Sequence, residues 1–532
     1  EDKTMKKNIL YMSALAAALC FGGTAFTSCS DPDEIQDLVL DRVLSPTGIT
    51  ARITNNTDIV VTWNEMTGAS SYEIEAYADN NDYENNTPAV TATTTNTTYT
   101  LTGLIGETDY YVRVRAIDGE NEARNSKWVE IMRTTNPEQN MNKVKSGDIQ
   151  GKAVKVTWTP GLQVDKVICT PSTAGSTAQT VTYDLTADDI AAGSATVTGL
   201  EPETTYKVTL KLGEKTRGFA TFTTNIDFSD AIVVSPTDDW VSAIQNAAPG
   251  TKIALAPGTY DLTGAKLQIN SDVKIGAQNS GDLPVLNTCI HINNEASLLL
   301  YQLVLDGTGT DGSQTIEYKT SGAFGDLTIK GCEVKNYTKG FIYINTTAVA
   351  NTINIDNCLI HDIECNGGDF IDSRKGGWNN LNLTNSTIYN SAAKRDVFRA
   401  DDASSAVNAK VETYVDKCTF YNVGNGKANY RFFYTRFKGN TNTFTNNVVV
   451  NFLNKRGFAN STSVGAPSYS NNYYFNCLNL TSLAEGNTEA CTHFDTEGMI
   501  LSANPFKDPD NGDFTITDEE LQSKMFGDPR WY

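Results

Sequence analysis

A short phrase recurs six times in the C-terminal half of the chain, and its successive copies start 26, 28, 32, 29 and 25 residues apart. Periods of this length are typical of solenoids, in which every coil is one supersecondary unit. A single coil cannot bury its own apolar face, so the coils must stack into one continuous core. The copies are GCEVKN (331–336), NCLIHD (357–362), NSTIYN (385–390), KCTFYN (417–422), NNVVVN (446–451) and NNYYFN (471–476).

Each copy follows a short alternating strand, such as LTIK at 327–330 or LNLT at 381–384. Side chains of a strand alternate between its two sides, so the phrase itself predicts which residues face the core. The residues expected to face inward are Cys332, Val334, Cys358, Ile360, Ser386, Ile388, Cys418, Phe420, Asn447, Val449, Asn472 and Tyr474. Those expected to face outward are Lys335, His361, Tyr389, Tyr421, Val450 and Phe475.

The last letter of the phrase is asparagine in every copy except one, where it is aspartate. These two residue types tolerate the left-handed backbone conformation of a tight turn, and stacked asparagines can hydrogen-bond along a solenoid axis. We therefore expect an architectural role for this column: Asn336, Asp362, Asn390, Asn422, Asn451 and Asn476.

The segment TDDWVSAIQNAA predicts an amphipathic helix capped by Thr237 or Asp238, with Trp240, Ile244 and Ala247 on one side. PGTKIALAPGTY follows it as a strand between Pro-Gly turns. This entry resembles the helical cap and first coil of pectin-lyase-like right-handed parallel β-helices. The resemblance implies a β-helix over 231–480 and a C-terminal closing segment over 481–532 that caps its open edge.

The first part of the mature chain alternates apolar and polar residues in short runs, which predicts antiparallel sandwiches. GLIGETDYYVRV (103–114) returns as GLEPETTYKVTL (199–210), and Trp63 returns as Trp158. With Tyr110 and Tyr206 at the corner position, both copies resemble fibronectin type III modules. They span 44–136 and 138–226, so the predicted fold class is all-β.

The N-terminal segment has the layout of an export signal. Lys6 and Lys7 follow Met5, an apolar run leads to FTSC, and SDPDE comes next. FTSC resembles a bacterial lipobox, which implies a signal peptide over 5–29, lipid on Cys29 and a linker over 30–43. A plain secretion signal with unmodified Cys29 is the alternative. The acidic stretch resembles the export signal of surface-exposed Bacteroidetes lipoproteins, which implies an outer-membrane protein facing the cell exterior.

The charge balance excludes one class of partner. The formal net charge is −21, whereas nucleic-acid binding needs a basic face. An acidic substrate would need a local cationic patch or a bridging metal.

Such a patch is predicted one strand later in each coil. Strand alternation predicts two outward rows of polar side chains if one apolar residue per coil faces inward. These inward residues are Ile342, Ile371, Phe398, Phe433 and Phe458. Stacked strands lie about 4.8 Å apart, so both rows should form one continuous surface. The first row is Tyr343, Asp372, Arg399 and Tyr434, and the second is Asn345, Arg374, Asp401 and Arg436.

Two interpretations of this surface remain open. In the structural one, Asp372 pairs with Arg399, and Asp401 pairs with Arg374 or Arg436. In the functional one, guanidinium groups bind uronic-acid carboxylates while aromatic rings stack on sugars. The candidate glycan-binding residues are Tyr343, Phe370, Asp372, Arg374, Arg399, Asp401, Tyr434 and Arg436.

A polysaccharide lyase is the enzymatic alternative. It would remove the proton alpha to a uronate carboxylate while a cation stabilises the enolate. Pectate-lyase-like enzymes are associated with calcium and an arginine or lysine base, although their extended catalytic-arginine motif has no match here. The candidate calcium ligands are Asp369, Asp372, Asp401 and Asp402, and the candidate bases are Arg374, Arg399 and Lys375.

Taken together, these motifs resemble those of uncharacterised β-helix lipoproteins of Bacteroidetes glycan-utilisation systems. The resemblance implies a surface protein that binds acidic, pectin-like polysaccharide beside an outer-membrane glycan importer. Calcium is the candidate cofactor. An adhesin-like structural role is the third hypothesis.

Overall fold

The computed structural model describes residues 41–172, 176–310 and 312–532. The expected signal peptide, its Cys29 and most of the expected linker lie outside the described residues. The chain divides into two compact units, one ending at Gln139 and including Glu214–Arg217, the other comprising Asn140–Gly213 and Gly218–Tyr532. The predicted all-β class is confirmed, since a fibronectin type III domain precedes a β-solenoid of about ten coils.

The first module is an antiparallel sandwich of two sheets. Trp63 and Tyr110 are buried in its core, and the Tyr110 hydroxyl accepts a hydrogen bond of 3.0 Å from the backbone N–H of Ile105. This is the corner bond that the fibronectin resemblance implies. The strands of one sheet are Thr50–Thr54, Asp58–Thr62 and Thr98–Leu101, and those of the other are Ser71–Ala78, Val90–Thr94, Asp109–Ile117 and Val129–Thr134.

The second module repeats this arrangement with one sheet reduced to two strands. Trp158 is buried, and the Tyr206 hydroxyl accepts a 3.0 Å hydrogen bond from the Glu201 N–H, as Tyr110 does from Ile105. A short helix, Ala187–Ala192, begins with a capping box between Thr186 and Asp189. The strands of the two-stranded sheet are Ala153–Thr157 and Ser194–Thr198. Those of the four-stranded sheet are Lys166–Pro171, Val181–Asp184, Thr205–Leu212 and Lys215–Thr223.

The predicted helix before the first coil is present as Trp240–Gln245, and it buries Trp240 and Ile244. The predicted cap is wrong by one residue. Asp239 caps the helix by accepting from the Ser242 N–H at 3.1 Å. Asp238 instead accepts from the N–H and hydroxyl of Ser235, which commits its carboxylate to the preceding turn.

Three parallel strand faces form the solenoid, and successive coils extend these faces along the stack. The first face contains Ile232–Val234, Thr251–Leu255, Val273–Ala277, Leu298–Tyr301, Gly322–Phe324, Leu327–Lys330, Ala348–Asp356, Gly377–Thr384, Glu412–Asp416, Thr441–Thr445 and Ser468–Ser470. The second contains Val304–Asp306, Glu333–Lys335, Leu359–His361, Thr387–Tyr389, Thr419–Tyr421, Val448–Val450, Tyr473–Phe475 and Met499–Ile500. The third contains Ile316–Tyr318, Ile342–Ile344, Ile371–Ser373, Phe398–Ala400 and Phe433–Thr435. The strand Val285–Ile292, which pairs with Thr259–Ile269, joins the second and third faces.

The inward columns of the repeated phrase are confirmed. All twelve residues expected to face inward are at most 2% exposed, including the polar Asn447 and Asn472. Asn447 donates through Nδ2 to the Val415 carbonyl, and Asn472 donates through Nδ2 to the Phe444 carbonyl. The buried amides therefore satisfy backbone groups inside the core.

The predicted turn column is confirmed as well. Its six residues, from Asn336 to Asn476, all have φ between 47° and 62°. Asn422 donates to Asn390 at 3.1 Å, and Asn476 donates to Asn451 at 2.7 Å. The side chains thus link successive coils at the same bend.

The outward column needs a correction, because its members do not all meet solvent. Tyr421 is 5% exposed and Val450 is fully buried. The C-terminal segment covers them with the hairpin Phe506–Asp508 and Asp513–Ile516, followed by the helix Glu519–Lys524. The last part of the expected closing segment therefore lies on the flank of the second face. Its earlier part meets the last coil, where Met499–Ile500 pairs with Tyr473–Phe475 and Thr492 forms a bridge with Ala459.

Candidate functional site

The third face carries the polar rows that the alternation predicts. Tyr343, Asp372, Arg399 and Tyr434 are directly paired from coil to coil. The charged groups of this face form one network, which we call the arginine ladder. It consists of Arg374, Arg399, Arg431 and Arg436 with Asp369, Asp372, Asp396 and Asp401.

The ion pairs of the ladder differ from the expected ones. Asp372 pairs with Arg374, at 2.5 Å between Oδ1 and Nε, and not with Arg399. Arg399 makes two hydrogen bonds of 3.0 Å to Asp401 and a longer one of 3.3 Å to Asp369. Asp401 also accepts from Arg436 at 2.8 Å, as expected. The predicted pair between neighbouring strands is thus replaced by pairs of residues two apart in the same coil. Such residues lie on the same side of a strand.

Burial separates the two charge signs of the ladder. The side chains of Asp369, Asp372 and Asp396 are at most 1% exposed. Arg374, Arg399 and Arg436 are 29%, 20% and 34% exposed. The ladder contains four residues of each sign, but the groups that reach solvent are mainly guanidinium groups.

The pKa of Asp369 reflects this burial. Loss of solvent, together with the charges of Asp396 and Asp372, raises its pKa to about 6. Asp401 behaves differently, because hydrogen bonds from Arg399 and Arg436 outweigh its partial burial and lower its pKa. The ladder therefore contains one carboxyl whose pKa is raised by its surroundings and one whose pKa is lowered.

The two outward tyrosines have different surroundings. The ring of Tyr434 lies between two guanidinium groups, 3.6 Å from that of Arg431 and 4.1 Å from that of Arg436. These cation–π contacts occupy a ring that was expected to stack on sugar. Among the residues that the structure describes, no guanidinium group lies over the ring of Tyr343. This ring is half-buried, so it is the better stacking surface of the two.

Phe370 was proposed as a sugar-stacking residue, and this prediction is wrong. Its side chain is 1% exposed and packs against Phe341, with ring centroids 5.6 Å apart. Phe370 precedes the strand Ile371–Ser373 at a corner of the coil. Strand alternation does not apply at the corner, so two consecutive apolar side chains turn into the core.

The candidate calcium ligands do not form a metal site in the described part of the chain, where no group of three or more His, Cys, Asp or Glu side chains could hold a metal ion. Arg374 binds both Asp369 and Asp372, while Asp401 is held by Arg399 and Arg436. Asp402 accepts from the N–H groups of Ser404 and Lys438. Arginines and backbone amides thus occupy the positions that calcium would need.

The candidate bases are poorly suited to proton abstraction. Burial alone would lower the pKa of Arg374, but its hydrogen bond to Asp372 outweighs burial and raises it. Asp401 raises the pKa of Arg399 in the same way. A base must release its own proton readily. Lys375 is exposed, and among the described residues its side chain forms no ion pair with the ladder.

Part of the site was not predicted from the sequence. Asp396 and Arg431 form a buried pair with hydrogen bonds of 2.8 Å and 2.6 Å. The row also continues into the preceding coils, where Glu317 pairs with Tyr343 and His291 pairs with Glu317. The phrase TIEYK at 315–319 has the same alternation as GFIYIN and could have identified Glu317.

Comparison with family models matches three segments of the chain. A fibronectin type III domain model matches residues 44–132. Two models described as domains of unknown function match the solenoid: DUF4957 over residues 258–391 and DUF5123 over residues 413–531.

Solved structures similar to this chain include a two-domain fibronectin type III segment of chicken tenascin. It is 17% identical, covers 34% of this chain and 99% of its own, and gives a TM-score of 0.25. A structure described as FN3tt mut is 29% identical, covers 17% of this chain and 93% of its own, and gives a TM-score of 0.15. No curated protein matches. Likeness at these TM-scores says nothing about function.

Proposed function

We propose that this protein is a surface protein that binds acidic polysaccharide through the arginine ladder and does not cleave it. A fibronectin type III domain combined with a β-helix suggests a surface or carbohydrate-associated protein and nothing finer. The observation that supports the finer proposal is the separation of charge by burial. The ladder hides three aspartates and presents three arginines, on a chain whose formal net charge is −21.

The arginines keep hydrogen-bonding capacity for a ligand. Arg374 uses Nε and Nη2 in its ion pairs, and Arg436 uses Nη2 alone. The Nη1 group of each has no partner among the described residues. Guanidinium N–H groups bind carboxylates with charge-assisted hydrogen bonds, so these two positions suit the carboxylates of uronic acids. Tyr343 lies in the neighbouring row and offers a ring face for a sugar.

Binding without cleavage follows from the state of the acids and bases. Asp369 and Asp372 are too deeply buried to meet a substrate, and the guanidinium groups of Arg374 and Arg399 hold their protons firmly. The lyase alternative therefore lacks an accessible base within the ladder. An adhesin-like structural protein would use the same ladder only as a set of ion pairs.

Affinity electrophoresis in gels that contain polygalacturonate or a neutral glucan tests this proposal. Arg436→Gln should weaken retention by the acidic gel by about 1.5 to 3 kcal/mol, the usual contribution of a hydrogen bond to a charged group. Arg115→Gln is a matched control, since Arg115 is 31% exposed and paired with Glu73, much as Arg436 is 34% exposed and paired with Asp401. Equal retention of both variants and the parent would overturn the proposal in favour of the structural role.

The location is part of the same proposal. We place lipid on Cys29 and the protein on the outer membrane, facing the cell exterior, beside a glycan importer of a Bacteroidetes glycan-utilisation system. In the described residues no helix is both long and apolar enough to span a bilayer. Cys29→Ala should move the protein from the membrane fraction to the soluble fraction. An unchanged distribution would contradict lipid attachment at Cys29.

A further inference from the structure

A groove runs along the outward side of the first face, on a different part of the solenoid from the arginine ladder. Its floor consists of residues paired directly from strand to strand, one per coil. The cavity above them has a volume of about 510 Å³. The floor residues, which define the amide groove, are Leu299, Thr328, Asn354, Asn382 and Tyr414.

Neutral amides and hydroxyls dominate the groove. Asn382 donates through Nδ2 to Oδ1 of Asn354 at 2.8 Å. This bond leaves Nδ2 of Asn354 and Oδ1 of Asn382 without a partner among the described residues, so the pair offers one donor and one acceptor. Thr328 and Thr384 add hydroxyl groups nearby. The floor can thus donate to and accept from a ligand that carries hydroxyl groups.

Apolar surface lies at both ends of the row. The Tyr414 side chain is 39% exposed, although it lies on a strand whose inward residues are buried. Leu299 and Ile226 line the other end. Sugars have polar edges and apolar ring faces, so a row of amides between apolar contacts suits an oligosaccharide. Four strand steps of about 4.8 Å give the floor a length of roughly 19 Å.

The charges of the groove differ from those of the ladder. Lys330 is the single cation of its lining, against the carboxylates of Asp356 and Glu203. Asp356 is already engaged through Oδ1 by Thr384 and Asn385. An acidic sugar would meet a slight excess of negative charge here, and the groove offers it no guanidinium group. The chemistry favours a neutral ligand.

A peptide strand fits the groove less well than a sugar does. Extended peptides bind to the free edge of a sheet, where unpaired backbone groups are available. The amide groove lies on the face of a sheet, and its strands are already paired on both sides with neighbouring coils. Only side chains are available for recognition.

We infer that the amide groove is a second carbohydrate site, which binds a neutral, linear oligosaccharide with one ring stacked on Tyr414 and hydroxyl groups bonded to Asn354 and Asn382. This site does not depend on the acidic-glycan proposal, since the two surfaces share no residue. It would give one solenoid two binding surfaces of different charge preference.

Isothermal titration of the full chain with cellohexaose, xylohexaose and mannohexaose tests the inference. At least one of these probes should bind, Tyr414→Ala should reduce its affinity at least tenfold, and Tyr414→Phe should retain most of it because the ring remains. Tyr343→Ala on the arginine ladder is the matched control and should leave this binding unchanged.

Three outcomes would overturn the inference: no binding of any probe to the parent protein, binding that Tyr414→Ala leaves intact, or loss of binding in Tyr343→Ala. The melting temperature of each variant is measured in parallel, and Asn382→Ala serves as a second variant should Tyr414→Ala unfold. If the arginine variants are retained by acidic gels as well as the parent is, the oligosaccharide result for the groove is unaffected. The two proposals can therefore fail separately.

Discussion

Asn451 donates a 2.9 Å hydrogen bond from its side chain to Asn422, the residue at the same turn of the preceding coil. Both residues have left-handed backbone conformations, with φ of 62° and 55°. Asn422 in turn donates a side-chain hydrogen bond to Asn390, one coil earlier. From Asn390 to Asn476, the side chain that tolerates the bend therefore also links one coil to the next.

Replacement of Asn422 should separate these two contributions. Asn422→Ala loses two hydrogen bonds of the asparagine column, each contributing about 0.5 to 1.5 kcal/mol. It also places alanine, which does not favour the left-handed conformation as asparagine does, in that region at a cost of about 1 to 2 kcal/mol. Asn422→Gly loses the same hydrogen bonds, but glycine adopts the left-handed backbone conformation without steric cost. Chemical denaturation should therefore rank the parent above Asn422→Gly, and Asn422→Gly above Asn422→Ala. Equal stability of all three would mean that the column is not structural.

The parts of the fold that depend on local pattern could be predicted from the sequence. The period of the phrase, its alternation and its closing asparagine together predicted the buried columns and the turn residues, because each depends only on neighbours within one coil. The outward register of Tyr343, Asp372, Arg399 and Tyr434 follows from the same alternation.

Features that depend on distant chain segments could not be predicted in this way. Tyr421 and Val450 face outward but are buried, because residues about 60 to 90 positions later pack over them. The pairing of Asp396 with Arg431 spans 35 residues and depends on the exact coil length. Phe370 was misplaced because a corner of the coil interrupts the alternation. Nothing in the local sequence identifies these three features.

The covering of the second face can be tested at Phe514. This fully buried ring packs against Tyr389 and Tyr421 of the solenoid, with centroid distances of 5.1 Å and 5.6 Å. Phe514→Ala should cost about 3 to 5 kcal/mol of unfolding free energy and expose apolar surface to a dye such as ANS. Leu483→Ala, at a side chain that is 55% exposed, is the control and should change stability by less than about 0.5 kcal/mol. A small effect of Phe514→Ala would mean that the C-terminal segment is loosely attached.

The raised pKa of Asp369 predicts a specific pH dependence. Its pKa is about 6 in the folded protein, above the ordinary value of 3.8. Between these values the folded state binds more protons than the unfolded state, so this group makes the unfolding free energy fall as pH rises. Asp369→Asn removes that contribution. The stability of the parent relative to Asp369→Asn should therefore decline from pH 4 to pH 6, and a difference that is constant with pH would show that Asp369 titrates normally.

We propose that the solenoid binds acidic polysaccharide and leaves it intact. To test this, the purified protein is incubated with polygalacturonate, with and without calcium, and both gel retention and the ultraviolet absorbance of unsaturated chain ends are recorded. We expect retention that weakens as salt rises, with no increase in absorbance under either condition. A rise in absorbance would show that the protein is a lyase, and the absence of retention at low salt would contradict binding altogether.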